Sequence, residues 1–96
     1  MATDYEVTYI VRPNLEETEV DTRVEQIAEG LRSNGGEPGE IEKMGKRRLA
    51  YEIDDMREGY YVVMKFKSDA AQAKELERQL RLSEDVMRQL LINLHD

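Results

Sequence analysis

The chain has 96 residues, 40% of them hydrophobic and 36% charged, with a formal charge of −7 and no cysteine. That length holds one domain, 1–96, with one modest core, and the missing cysteine removes disulfides, thiolate metal sites and any redox inference. No apolar run is long enough to span a bilayer. The start Met1-Ala2-Thr3-Asp4-Tyr5 lacks the basic residues and apolar stretch of a signal peptide, so an unprocessed cytoplasmic protein is expected.

In chain order, Tyr5 to Arg12 alternates. Tyr5, Val7, Tyr9 and Val11 fall on one face and Glu6, Thr8, Ile10 and Arg12 on the other, the pattern of a strand covered on one side. Pro13-Asn14 stops it. Val20, Val24, Ile27, Ala28 and Leu31 then form one stripe of an amphipathic helix. Glu16, Glu17, Glu19 and Asp21 load its first turns with negative charge, favourable to the helix dipole. Asn34-Gly35-Gly36 ends it with a left-handed cap. Glu37 to Ile53 reads as a strand bent near Gly45, and Asp54 to Glu58 as a polar turn.

Gly59 to Lys67 is a third strand, with Tyr60, Val62, Met64 and Phe66 facing one way and Tyr61, Val63, Lys65 and Lys67 the other. Ser68 or Asp69 caps a second helix, and Asp69 with Gln72 three residues on resembles a capping box. Ala73, Leu76 and Leu80 are its buried stripe and Leu82 closes it. Ser83 to Asp85 turns the chain into a last strand, Val86 to Leu94. There Arg88 interrupts the apolar set Val86, Leu90, Ile92 and Leu94, which leaves the faces of that strand unassigned.

The order strand, helix, strand, strand, helix, strand predicts an α+β, ferredoxin-like fold: a four-stranded antiparallel sheet with both helices on one face. The other face stays open. Thr8, Ile10 and Arg12 are expected there beside Tyr61, Val63, Lys65 and Lys67, an apolar patch flanked by cations. Such a patch suits a protein or RNA docking surface.

Charge is unevenly spread along the chain. Residues 1–42 carry eleven acids and three bases, net −8, whereas residues 43–96 carry ten acids and eleven bases, net +1. Screening limits repulsion to a Debye length, ~8 Å, so a local cationic face can bind an anionic polymer on an acidic protein. The densest cluster is Gly45-Lys46-Arg47-Arg48, followed by the alternating Leu49-Ala50-Tyr51-Glu52-Ile53. Cations there can face a phosphate backbone while Leu49, Tyr51 and Ile53 anchor the strand behind them. Lys43 extends the cluster on one side and Arg57 on the other.

Enzyme chemistry finds no footing in these residues. The single histidine, His95, sits beside the C-terminus and reads as a solvated side chain. With no cysteine and no second histidine, nucleophilic dyads and transition-metal clusters have no members, and neither catalytic residues nor a cofactor is expected. The paired carboxylates Glu16–Glu17, Asp54–Asp55 and Glu84–Asp85 lie at helix starts and turns, where capping and solubility explain them. No phosphate-binding loop or dinucleotide fingerprint occurs. RNA-recognition motifs stack bases on third-strand aromatics. Here Glu58 separates Arg57 from Gly59, Tyr61 stands where that motif has a small residue, and Val62 stands where it needs an aromatic. Backbone recognition by Lys and Arg is left.

The stretch Gly45-Lys46-Arg47-Arg48-Leu49-Ala50-Tyr51-Glu52-Ile53 resembles the signature of a known family, the sixth protein of the bacterial small ribosomal subunit. The resemblance runs from Tyr5 to about Leu94. It includes Tyr5-Glu6, Pro13-Asn14-Leu15, Gly59-Tyr60-Tyr61-Val62, Leu80-Arg81, Val86 and Arg88. Glu52 departs from the proline of many members, and Asp54 from a basic or small polar residue. The resemblance implies a non-catalytic constituent of the small ribosomal subunit, a monomer in isolation, which binds the central domain of small-subunit ribosomal RNA together with the subunit's eighteenth protein. It directs attention to Lys46, Arg47, Arg48, Arg81 and Arg88 as RNA contacts, with Arg88 alternatively pairing Glu84 or Asp85. Ile10, Arg12, Tyr61, Val63 and Lys65 are the expected protein contacts. A free regulatory or ligand-binding domain that dimerises through the open sheet is the competing expectation; it would need a pocket with converging polar groups.

Overall fold

The computed structural model describes residues 2–53 and 55–94. The readings of His95, and of Asp54 in its turn and carboxylate pair, fall outside those residues. The elements run β1 (Thr3–Val11), α1 (Glu17–Ser33), β2 (Glu37–Ile53), β3 (Met56–Ser68), α2 (Ala70–Leu82) and β4 (Val86–Asn93). The strands lie in the order β2-β3-β1-β4, all neighbours antiparallel. This is the ferredoxin-like arrangement expected from the sequence.

Period-two alternation in β1 and β3 sets the inner face. Tyr5, Val7, Tyr9 and Val11 pair across to Phe66, Met64, Val62 and Tyr60. They meet Val20, Val24, Ala28 and Leu31 of α1 and Ala73, Leu76 and Leu80 of α2 in one core. The Tyr5 and Phe66 rings stack at 5.5 Å between centroids. Both helices therefore cover the same side of the sheet, and burial of their stripes is what holds them there.

The helix ends follow local chemistry. Gln72 N–H donates to Asp69 Oδ1 at 2.8 Å and Asp69 N–H donates to Gln72 Oε1 at 3.1 Å, the reciprocal box that opens α2. At the end of α1, Gly36 N–H donates to the Leu31 carbonyl and Gly35 N–H to the Arg32 carbonyl. That pair of bonds satisfies carbonyls the helix would otherwise leave open.

Two features of the strands differ from a plain reading of the sequence. The turn expected over Asp54 to Glu58 is shorter, because Ile53 pairs with Met56 and β3 starts there. Asp55 takes φ 64°, a left-handed conformation that aspartate tolerates in a tight hairpin. In β4 the ladder skips a residue: Val11 pairs with Val86 and Ile10 with Arg88, so Met87 is the extra residue of a bulge. Val86 therefore packs on the core, while Arg88, Leu90 and Ile92 stand opposite Ile10, Thr8 and Glu6 on the outer face. The interruption at Arg88 is thus a change of face within β4.

Candidate nucleic-acid interface

Antiparallel pairing brings one end of every strand together. The C-terminal ends of β1 and β2 lie beside the N-terminal ends of β3 and β4, and α2 returns to the same end before the Ser83–Asp85 turn. Lys46, Arg47, Arg48, Arg81 and Arg88 all fall at this end and all are exposed. Arg12 is there too, with Nε donating to the Glu84 carbonyl at 2.5 Å and Nη1 at 3.8 Å from Met56 Sδ. These bonds tie the turn before β4 to the β2–β3 hairpin.

Gly45 sets how the cations leave the sheet. Its φ of +83°, at the ladder shift between Lys43 and Gly45, bends β2 where an L side chain would be strained. Beyond the bend, Lys46 stands opposite Tyr60, its Nζ 5.3 Å from the ring centroid. Arg47 stands opposite Gly59 and donates from Nε to the Met44 carbonyl at 3.2 Å. Arg48 lies opposite Glu58. Arg48, Leu49, Ala50, Tyr51, Glu52 and Arg57 line a shallow hollow, in which Arg57 Nε meets Glu52 Oε1 at 3.0 Å.

Several residues lie elsewhere than expected. Lys43 does not extend the basic cluster, since its Nζ pairs with Asp21 of α1 at 2.8 Å. The hydrogen bond to that carboxylate pushes the lysine's pKa up. Tyr51 is no core anchor: it is 58% exposed, and the Arg88 guanidinium lies over its ring, 5.4 Å from the centroid. Leu49 is buried, though outside the helix-side core. Among the described residues no ion pair joins Arg88 to Glu84 or Asp85; Asp85 pairs with Arg23 instead.

On the open face, Tyr61 and Val63 are half-buried and Lys65 is exposed. Ile10, expected as an exposed docking residue, is only 8% exposed. The reason is Gly59: a Cβ there would sit 2.3 Å from Ile10 Cγ2 and 3.6 Å from Met87 Sδ. Ile10 lies across the missing side chain. The residues that sequence reasoning left out are Leu90 and Ile92, 59% and 41% exposed on the outer face of β4. Parity counted from Val86 hides them, and only the bulge reveals their side.

What this arrangement offers is recognition. Among the described residues no group of three potential metal ligands converges, and no helix is long and apolar enough to cross a membrane. A cationic sheet end beside an open, partly apolar face defines a small macromolecule-binding module of the ferredoxin-like class. Residues 4–93 match the family described as ribosomal protein S6. The small ribosomal subunit protein bS6 of Carboxydothermus hydrogenoformans is 47% identical over 92 residues, 96% of each chain. That of Clostridium acetobutylicum is 43% identical over 90 residues, covering 94% of this chain and 95% of the other. The solved 30S ribosomal protein S6 of Thermotoga maritima superposes with a TM-score of 0.90 at 31% identity, covering 97% of this chain and 88% of that one. The chain belongs to the ribosomal protein S6 family; it is a structural protein of the small ribosomal subunit and not an enzyme.

Proposed function

We propose that this protein binds the central domain of small-subunit ribosomal RNA, in the cytoplasm, as a pair with the subunit's eighteenth protein. The observation that carries the reading is the collection of Lys46, Arg47, Arg48, Arg81 and Arg88 at one end of the sheet. Phosphates of a folded junction would be met by these cations and read through backbone shape. Tyr61, Val63 and Lys65, joined by Leu90 and Ile92, offer the protein partner an apolar patch with a charged margin. Ile10 supports that patch from beneath, and Arg12 fixes the turn at its border. Isolated, the chain is a monomer in this reading.

The test is a filter-binding titration of a central-domain RNA fragment, with and without the eighteenth protein, across a range of salt. Tight, salt-dependent binding that needs both proteins is expected. Replacing Arg47 and Arg48 together with alanine should lower affinity and flatten the log–log salt slope by ~0.7–0.9 for each phosphate no longer neutralised. Failure of the wild-type pair to bind the fragment at any salt would remove the reading.

A further inference from the structure

We infer that Arg88, counted above among the cations that meet phosphate, instead forms with Tyr51 a stacking site for one unpaired nucleobase, while Lys46, Arg47, Arg48 and Arg81 keep the phosphate role. The inference rests on the RNA-binding reading and adds to it a place where a base is held.

The geometry is built from three separate features. The Met87 bulge rotates Arg88 onto the outer face of β4, opposite Ile10, where uninterrupted alternation from Val86 would have sent it inward. Bulges re-aim side chains in this way. Next, β2 continues beyond Gly45 into the hairpin that carries Tyr51, whose ring lies under the guanidinium at 5.4 Å. Ile10, the ladder partner of Arg88, lies where Gly59 has no side chain, and the Gly59 position is also close to Met87.

Arg88 is the one arginine at this end that lies over a ring among the described residues, as Lys46 lies over Tyr60. Neighbouring arginines are engaged by oxygens: Arg12 by the Glu84 carbonyl, Arg23 by the Asp85 carboxylate and Arg57 by the Glu52 carboxylate. Arg88 has a ring and, among the described residues, no carboxylate. A guanidinium held near an aromatic ring can offer a planar group on which a base stacks, with less rotamer freedom lost than for a lysine. Unstacked RNA bases are recognised on arginine planes and aromatic rings. Arg48 lines the hollow that Tyr51 also lines, so a nucleotide whose base rests on the pair would have a cation within the same hollow for its phosphate. Leu90, next on the outer face of β4, extends the apolar floor.

The experiment compares Tyr51→Phe, Tyr51→Leu and Arg88→Lys with the wild-type chain. Each is titrated with the central-domain RNA fragment and the eighteenth protein at several salt concentrations, and the fold is checked by thermal melting. Stacking does not release counterions, so its loss should shift the binding curves in parallel. Tyr51→Leu and Arg88→Lys should each weaken binding roughly tenfold or more with an unchanged salt slope, while Tyr51→Phe binds like wild type. Arg88→Lys retains the charge and removes the plane, so it decides the matter even if Tyr51→Leu melts. Binding within twofold of wild type for Arg88→Lys would overturn the inference, as would a loss carried entirely by a flatter slope. If the wild-type pair does not bind the RNA, the functional reading fails first, and that result is distinguishable from either outcome.

Discussion

The two faces of the sheet come from the same strands and are made of similar residues, yet they are built to different ends. On the inner face, the apolar residues of β1 and β3 are nearly all buried, and two helices bring their own stripes to meet them. On the outer face, alternation continues but nothing covers it, leaving Leu90 and Ile92 in solvent beside Arg88. Burial is concentrated on one side, and the proposed recognition surface lies on the other. A substitution inside should therefore register in unfolding, and one outside in binding.

The strongest challenge to that division is Leu80→Ala. Leu80 is fully buried on the inner side of α2, and its truncation should cost about 2–5 kcal/mol in urea unfolding. A loss below about 1 kcal/mol would mean that the helix layer is not the main source of stability. Next comes Gly59→Ala, which crowds Ile10 from the outer face. Overpacking there should cost about 1–3 kcal/mol, so this one outer position ought to behave like core. If it proves neutral, Ile10 is more mobile than its burial implies.

Tyr9→Phe separates the two faces from the opposite direction. Its hydroxyl is buried on the inner side with no hydrogen-bond partner among the described residues, and removing it should gain about 1 kcal/mol. Burial pushes the Tyr9 phenol well above its ordinary value of 10.0. The folded state thus keeps a proton that the unfolded chain gives up, and stability falls as the pH climbs past 10. Unfolding of wild type and Tyr9→Phe measured from pH 9 upward should run in parallel below pH 10 and diverge above it, the wild type losing more. The smallest effect on folding belongs to Leu90→Ser, within about 0.5 kcal/mol, although affinity for the eighteenth protein should drop. Equal partner affinity would exclude β4 from that surface.

Much of the inner face is readable in the chain because its causes are local. The alternation of Tyr5 to Val11, the stripe through Val20 and Leu31, the Asp69–Gln72 box and the stop at Asn34-Gly35-Gly36 each express a preference of a few neighbouring residues. The candidate site is readable by residue type and only partly by placement. That Lys46, Arg47 and Arg48 are exposed follows from their charge. That Tyr51 reaches Arg88 depends on a bend at Gly45 and a bulge at Met87, on strands at opposite edges of the sheet. Ile10 escapes the pattern because alternation reports the side on which a residue sits; how deeply it sinks depends on the neighbour, here a glycine. Lys43 escapes it because its partner, Asp21, belongs to a helix that sequence distance places far away.

The pairing of β4 with β1 has a consequence for how the protein is made. Of the elements of this sheet β1 is synthesised first, but β4, the strand that completes its hydrogen bonding on that side, is synthesised after all the others. Until it emerges, a nascent chain has the local β2–β3 hairpin available but must leave one border of β1 without its neighbour. Joining strands so distant in the chain is the slow, entropically costly kind of closure. A chain released without β4 would therefore keep one border of β1 unpaired, an adhesive flank open to whichever stray strand arrives first.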